Sequence, residues 1–240
     1  AVSHFTSTLL EAGRLTSILS LAGTCLVGAL LTAWSLPPGG SRFARFIGAF
    51  TAGTLVFTTP MWTWGVLMRV DMLSIFLTVC GVALFVLARR KPALAFLSFC
   101  LFVAAVYTKQ TSFAGPIACI VLDFIDKPRR ALQLAAFSTV LGLAFLAMLY
   151  SATNGVFLRH IITYNQNPYR PEQILGRLQY HGSYLMGPLV FSAIFPLALL
   201  RRPRTRLLRR LRIILRRTVF ERNVLVVSLY FFVSFLIAAA

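Results

Sequence analysis

This sequence is poor in acid. Its 240 residues include six Asp and Glu against 24 Lys and Arg, and charged residues of both signs amount to only 12%. Hydrophobic residues make up 58% and mean hydropathy is +0.79, which is too apolar for a soluble domain of this length. Histidine is scarcer still. The three histidines stand so far apart in sequence that no metal site can be argued from them. Cys25, Cys80, Cys100 and Cys119 lie inside apolar segments with neither C-x-x-C nor Cys/His spacing. That excludes a metal or redox reading and leaves four small buried hydrophobes. The phosphate loop G-x-x-x-x-G-K-[ST], the zinc motif H-E-x-x-H and the nucleophile elbow G-x-S-x-G are all missing. No internal repeat, low-complexity tract or soluble domain is present, and no cofactor is expected.

What remains is membrane. A spanning helix needs about 20 mostly apolar residues, and on that measure the chain reads as an all-α, polytopic helical bundle forming a single transmembrane domain over 1–240. Eight segments qualify, at 15–36, 46–64, 72–88, 93–107, 113–125, 131–152, 184–200 and 223–240. The fourth and fifth are short and flank Lys109 and Gln110, as expected of a tight helical hairpin that does not reach full depth. Pro60, Pro116, Pro188 and Pro196 are expected to mark kinks, which membrane helices tolerate. The sequence starts at Ala1 in an amphipathic stretch, 4–14, that has no signal-peptide organisation.

The net charge of +18 invites a nucleic-acid reading, but the basic residues sit between apolar runs, so nucleic acid is not an expected partner. Alternating the connections puts 18 of the 24 Lys and Arg on one side, including Arg42, Arg45, Lys91, Lys127, Arg129, Arg130 and Arg201. The excess of Lys and Arg makes that side cytoplasmic. The segment 201–222 alternates arginine with Leu and Ile at helical period, as an amphipathic helix on anionic lipid does. Asp123 and Asp126, beside Lys127, Arg129 and Arg130, are expected to pair locally.

The opposite face collects the residues with chemical interest: Arg69, Asp71, Lys109, Gln110 and the long outer loop 153–183. Ionisable residues at the meeting of two spans suggest function. Arg69 and Lys109 suit a phosphate, one as a planar fork and the other as a point charge. Asp71, Tyr164, Asn165 and Asn167 suit sugar hydroxyls or the orientation of a base. The plainer alternative is that Arg69 and Asp71 pair and cap the third helix, with Asp near its N-terminus. From the pattern alone the two readings weigh the same. Trp62 and Trp64 read as an interfacial anchor.

Four stretches, GRLTSILSLAGTCLVGALL (13–31), WGVLMRVDMLSIFLTVCGVALFVLARR (64–90), VYTKQTSFAGPIA (106–118) and LRHIITYNQNPY (158–169), resemble in order and spacing the membrane part of GT-C glycosyltransferases. More narrowly, they resemble the bacterial relatives of dolichyl-phosphate-mannose protein mannosyltransferases and aminoarabinose transferases. The resemblance implies a multi-pass protein of the bacterial inner membrane. Such a protein transfers a sugar from a polyprenyl-phosphate carrier to a glycan, lipid or protein acceptor on the non-cytoplasmic face, with inversion. It makes Asp71 the catalytic carboxylate facing the cavity, places Arg69, Lys109 and Gln110 at the carrier phosphate, and lines the sugar and acceptor site with Tyr164, Asn165 and Asn167. The family's principal catalytic carboxylate precedes the G-R-x-x-S element, where this sequence has only residues 1–12 and one acid, Glu11. The expectation is therefore a transferase lacking its first helix and catalytic loop, which binds carrier without turnover. Two other readings stand beside it: a non-catalytic protein that binds or scaffolds lipid-linked sugar, and, more weakly, a transporter.

Overall fold

The structure is a computed structural model that describes residues 2–35, 42–54, 65, 67, 70–88 and 91–161. Among the described residues there is helix and no strand. In chain order the helices are α1 (Val2–Ser35), α2 (Arg42–Thr54), α3 (Val70–Leu87), α4 (Ala93–Thr108), α5 (Ala114–Asp126), α6 (Pro128–Ala152) and the single turn α7 (Val156–Arg159). Among the described residues three helices are long and apolar enough to cross a membrane: 27 residues of α1 (Thr8–Trp34), all of α3 and all of α6.

α1 starts thirteen residues before the expected 15, since nothing in 4–14 breaks a helix. α2 starts at Arg42, ahead of the expected 46. The limits of α3, α4 and α5 lie within two residues of expectation. α6 begins at Pro128, three residues early, because proline is preorganised for a first helical turn and its missing N–H has no partner there anyway. Pro116 likewise sits in the first turn of α5 and does not kink a span. Residues 55–64, with Pro60, Trp62 and Trp64, lie outside the described residues. So do Pro188, Pro196, most of the loop 153–183, the segment 201–222 and the spans expected at 184–200 and 223–240.

The helices alternate in direction. A core of Leu31, Val82, Phe85, Phe99, Leu122 and Leu134 ties one end of α1, α3 and α5 to the start of α4 and α6. At the other end, Ser74 of α3 meets Ser112, just ahead of α5, and Tyr107 of α4 donates to the Gly142 carbonyl of α6 at 2.6 Å. Thus α1, α3 and α5 run one way and α2, α4 and α6 the other. Small residues allow the close approach. A Cβ on Gly81 would lie 2.5 Å from the Phe102 ring and one on Gly115 would lie 2.8 Å from it. Phe102 of α4 therefore fills the space that two neighbouring helices leave by lacking side chains. Ser98 adds a 2.7 Å bond to the Gly81 carbonyl.

α4 and α5 have 16 and 13 residues, about 24 and 20 Å of helix, against about 30 Å of hydrocarbon. Both are short, as the sequence suggested, but they do not form a tight hairpin: α4 packs mainly on α3 and α5 mainly on α6. After α6 the chain reverses through Asn154 at φ 48° and Gly155 at φ 77°, left-handed positions that Asn and Gly adopt most readily. Phe157 then stacks on Tyr107 with ring centroids 6.2 Å apart.

The alternation puts Arg42, Lys91, Lys127 and Arg129 at one end of the bundle and Lys109 and the exposed Thr111 at the other. Single cysteines at positions 91 and 111, in a background without the four native ones, should label from opposite sides of intact cells. Labelling of both from one side would contradict this arrangement.

Candidate functional site

The sequence isolates Asp71 as an acid in the first turn of an otherwise apolar helix, and the structure gives it a cation. Lys109 Nζ donates to Asp71 Oδ1 across 38 positions of chain. Lys109 follows α4 in an extended conformation, φ −148° and ψ 118°, with its N–H still closing the helix on the Ala105 carbonyl at 2.8 Å. That extended residue turns the side chain away from the α4 axis and over the start of α3. Asp71 is buried, with its side chain 12% exposed, whereas that of Lys109 is 43% exposed. The carboxylate is thus within the bundle and the ammonium at its mouth.

A polar seam continues inward. Asp71, Ser74 and Thr78 recur at i, i+3 and i+7, on one face of α3, and all three are buried. Ser74 Oγ donates to the Ala105 carbonyl at 3.1 Å and meets Ser112 Oγ in the turn between α4 and α5. Thr78 Oγ1 closes back on the Ser74 carbonyl at 2.8 Å. Sequence reasoning singled out Asp71 and Lys109 but missed Ser74, Thr78 and Ser112. The signal was there, as a helical-period polar stripe within the greasiest of the spans.

A second pair occupies the opposite end. Asp123, 1% exposed, accepts from Arg130 Nε at 2.6 Å and Nη2 at 2.5 Å, and the guanidinium lies 5.8 Å from the Phe85 ring centroid. This is the local pairing expected for that acid. Its planar fork spends two donors on one carboxylate in a dry setting, as a structural lock does. The Asp71–Lys109 pair differs in leaving much of its cation in contact with the surroundings. A single ammonium has three donors, so Lys109 can hold Asp71 and still receive an acidic ligand.

Gln110 follows Lys109 in the turn and is partly buried. Arg69, Tyr164, Asn165 and Asn167 lie outside the described residues. The structure therefore brings Asp71, Lys109 and Gln110 to one end of the bundle. Among the described residues the cation that Asp71 meets is Lys109. Among the described residues no three His, Cys, Asp or Glu side chains gather as metal ligands would.

The exposure difference sets an expected asymmetry. Lys109→Ala strips a cation from a nearly buried carboxylate, whereas Asp71→Ala leaves an ammonium that water or headgroups can reach. Thermal unfolding in detergent should show the larger loss for Lys109→Ala, about 2 kcal/mol. A double-mutant cycle should give a coupling of about 1 kcal/mol. Additive effects of the two substitutions would mean that the pair contributes nothing to the fold. No family model, curated protein or solved structure matches the chain.

Proposed function

We propose that the chain is a GT-C-like membrane glycosyltransferase, or part of one, and that the Asp71–Lys109 end of its bundle receives the phosphate of a polyprenyl-phosphate sugar. The observation that carries this reading is the half-exposed ammonium of Lys109, anchored by a buried carboxylate from a different helix. A phosphate at the edge of the apolar layer needs a cation fixed at that depth, and a lysine tethered from below supplies one. The reading includes eight spans, with this end on the non-cytoplasmic face of a bacterial inner membrane.

In the transfer, an acceptor hydroxyl attacks the anomeric carbon from the face opposite the carrier. The bond from that carbon to the phosphate oxygen breaks, the hydroxyl proton passes to a base, and the polyprenyl phosphate leaves with the electron pair. Lys109 stabilises the negative charge that grows on the leaving phosphate, an effect that commonly contributes several kcal/mol when the cation is already in place. Asp71 acts through Lys109, as a positioning residue. Gln110 supplies a neutral donor beside it, and Arg69 a second cation from the residue before α3. Tyr164, Asn165 and Asn167 keep the sugar and acceptor roles that the resemblance implies for them.

One observation favours a second reading, a protein that binds lipid-linked sugar without turning it over. The carboxylate at the site is already engaged by Lys109. In both readings the carrier phosphate sits at Lys109, and they part only on whether a base completes the site.

The test is retention of a radiolabelled polyprenyl-phosphate sugar by the chain in lipid nanodiscs. Lys109→Ala should weaken retention about tenfold or more, as loss of a charge-assisted bond does. Lys109→Arg should keep most of it, and a polyprenol without phosphate should not compete. Native retention by a folded Lys109→Ala variant would remove the carrier phosphate from this site.

A further inference from the structure

The opposite end of the bundle carries a second anion site, and we infer that its ligand is the phosphate of an anionic phospholipid, held at the start of α2. α2 is a helix of 13 residues without an acid. Phe43, Phe46, Ile47 and Phe50 form one continuous exposed side of it, with Phe46 and Phe50 stacked at 6.2 Å. The other side packs on α1. A Cβ at Gly53 would lie 3.5 Å from Ala29 and from the Cys25 carbonyl, so the small residues of α2 face its neighbour while its aromatics face away from the bundle.

Arg42 and Arg45 stand one turn apart at the beginning of this helix. Helical side chains lean toward the N-terminus, which for α2 is the end of the bundle that also carries Lys91, Lys127 and Arg129. Arg42 is exposed. Arg45 is partly buried, and its Nε–H is enclosed without any hydrogen-bond acceptor. A guanidinium stays charged at every accessible pH, and an enclosed donor with no acceptor costs free energy. Among the described residues α2 has no acid, and Asp123, at the same end, is already forked by Arg130. A phosphodiester oxygen meets the need once the Arg45 side chain turns outward. Nε and one Nη then grip two oxygens in the bidentate geometry that arginine prefers.

The aromatic side decides between a lipid and a free phosphate. An inorganic anion gains nothing from Phe43, Phe46 and Phe50, whereas a phospholipid lays its acyl chains along them while its headgroup stays with the two arginines. Charge on one turn and apolar surface along the rest of the same short helix match the two parts of that molecule. The site is independent of the carrier phosphate proposed at Lys109, which lies at the other end of the bundle.

Native mass spectrometry of the detergent-solubilised chain, titrated with phosphatidylglycerol or phosphatidylcholine, tests the inference. Phosphatidylglycerol should be retained in preference to phosphatidylcholine. The combined Arg42→Gln and Arg45→Gln variant should weaken that retention at least about tenfold, while Arg129→Gln, at the same end, should change it less than about twofold. Inorganic phosphate should not displace the bound lipid. If the double variant does not fold, Arg42→Gln alone, at an exposed position, should weaken retention about fivefold. Equal retention of the two lipids, unchanged retention by either arginine variant, an equal loss with Arg129→Gln, or displacement by inorganic phosphate would each overturn the assignment.

Discussion

A carboxylate inside an apolar bundle has to be answered by a cation, and in this chain that requirement fixes both ends of the fold. Placing an ionised Asp at the centre of a membrane helix costs about 2.5–3.5 kcal/mol. Asp71 and Asp123, both buried, avoid the depth where that cost is greatest by standing in the first turn of α3 and the last turn of α5. Each recruits a cation through a change of chain direction: Lys109 at the end of α4, and Arg130 just inside α6. The turns that join α4 to α5 and α5 to α6 are therefore held where the charges need them. The apolar packing between Phe85, Phe99, Phe102 and Leu122 fills the space these turns leave.

The two pairs meet the same requirement with different chemistry, and the proposed carrier site rests on that difference. Arg130 is a rigid fork, closed on Asp123 and set against an aromatic ring, with little left to offer another molecule. Lys109 is a point charge at the mouth of the bundle, steadied by Asp71 yet in contact with its surroundings. Burying a pair is weak evidence of stabilisation, because desolvation offsets most of the Coulombic gain. A half-exposed pair escapes part of that cost and keeps its cation usable.

Much of this was legible in the sequence. Long apolar runs set α3, α4 and α5 to within two residues, and the alternation assumed from short connections matches the direction of the helices. The weight of Asp71 and Lys109 followed from their being charged residues where apolar runs meet. Their mutual pairing did not follow. Thirty-eight residues separate them, and only the length of the α3–α4 hairpin sets which residue of the return strand of chain comes level with Asp71. Sequence proximity was enough to suggest Arg130 for Asp123, seven residues away. Phe102 is another case, since nothing in its neighbourhood says that Gly81 and Gly115 together make its socket. The early start of α1 went unread because residues 2–14 mix polar and apolar side chains and contain no sustained apolar run.

The central claim is that Asp71 and Lys109 form one unit whose fold-holding and anion-holding parts are separable by orientation. Exchanging them, Asp71→Lys with Lys109→Asp, keeps a pair between α3 and the end of α4 but puts the carboxylate at the mouth and the ammonium inside. Thermal unfolding and carrier retention measured on that one variant test the claim most directly. The account predicts a melting temperature closer to the native value than either single exchange gives, together with loss of polyprenyl-phosphate sugar binding. A folded exchange variant that still bound the carrier as the native chain does would contradict it.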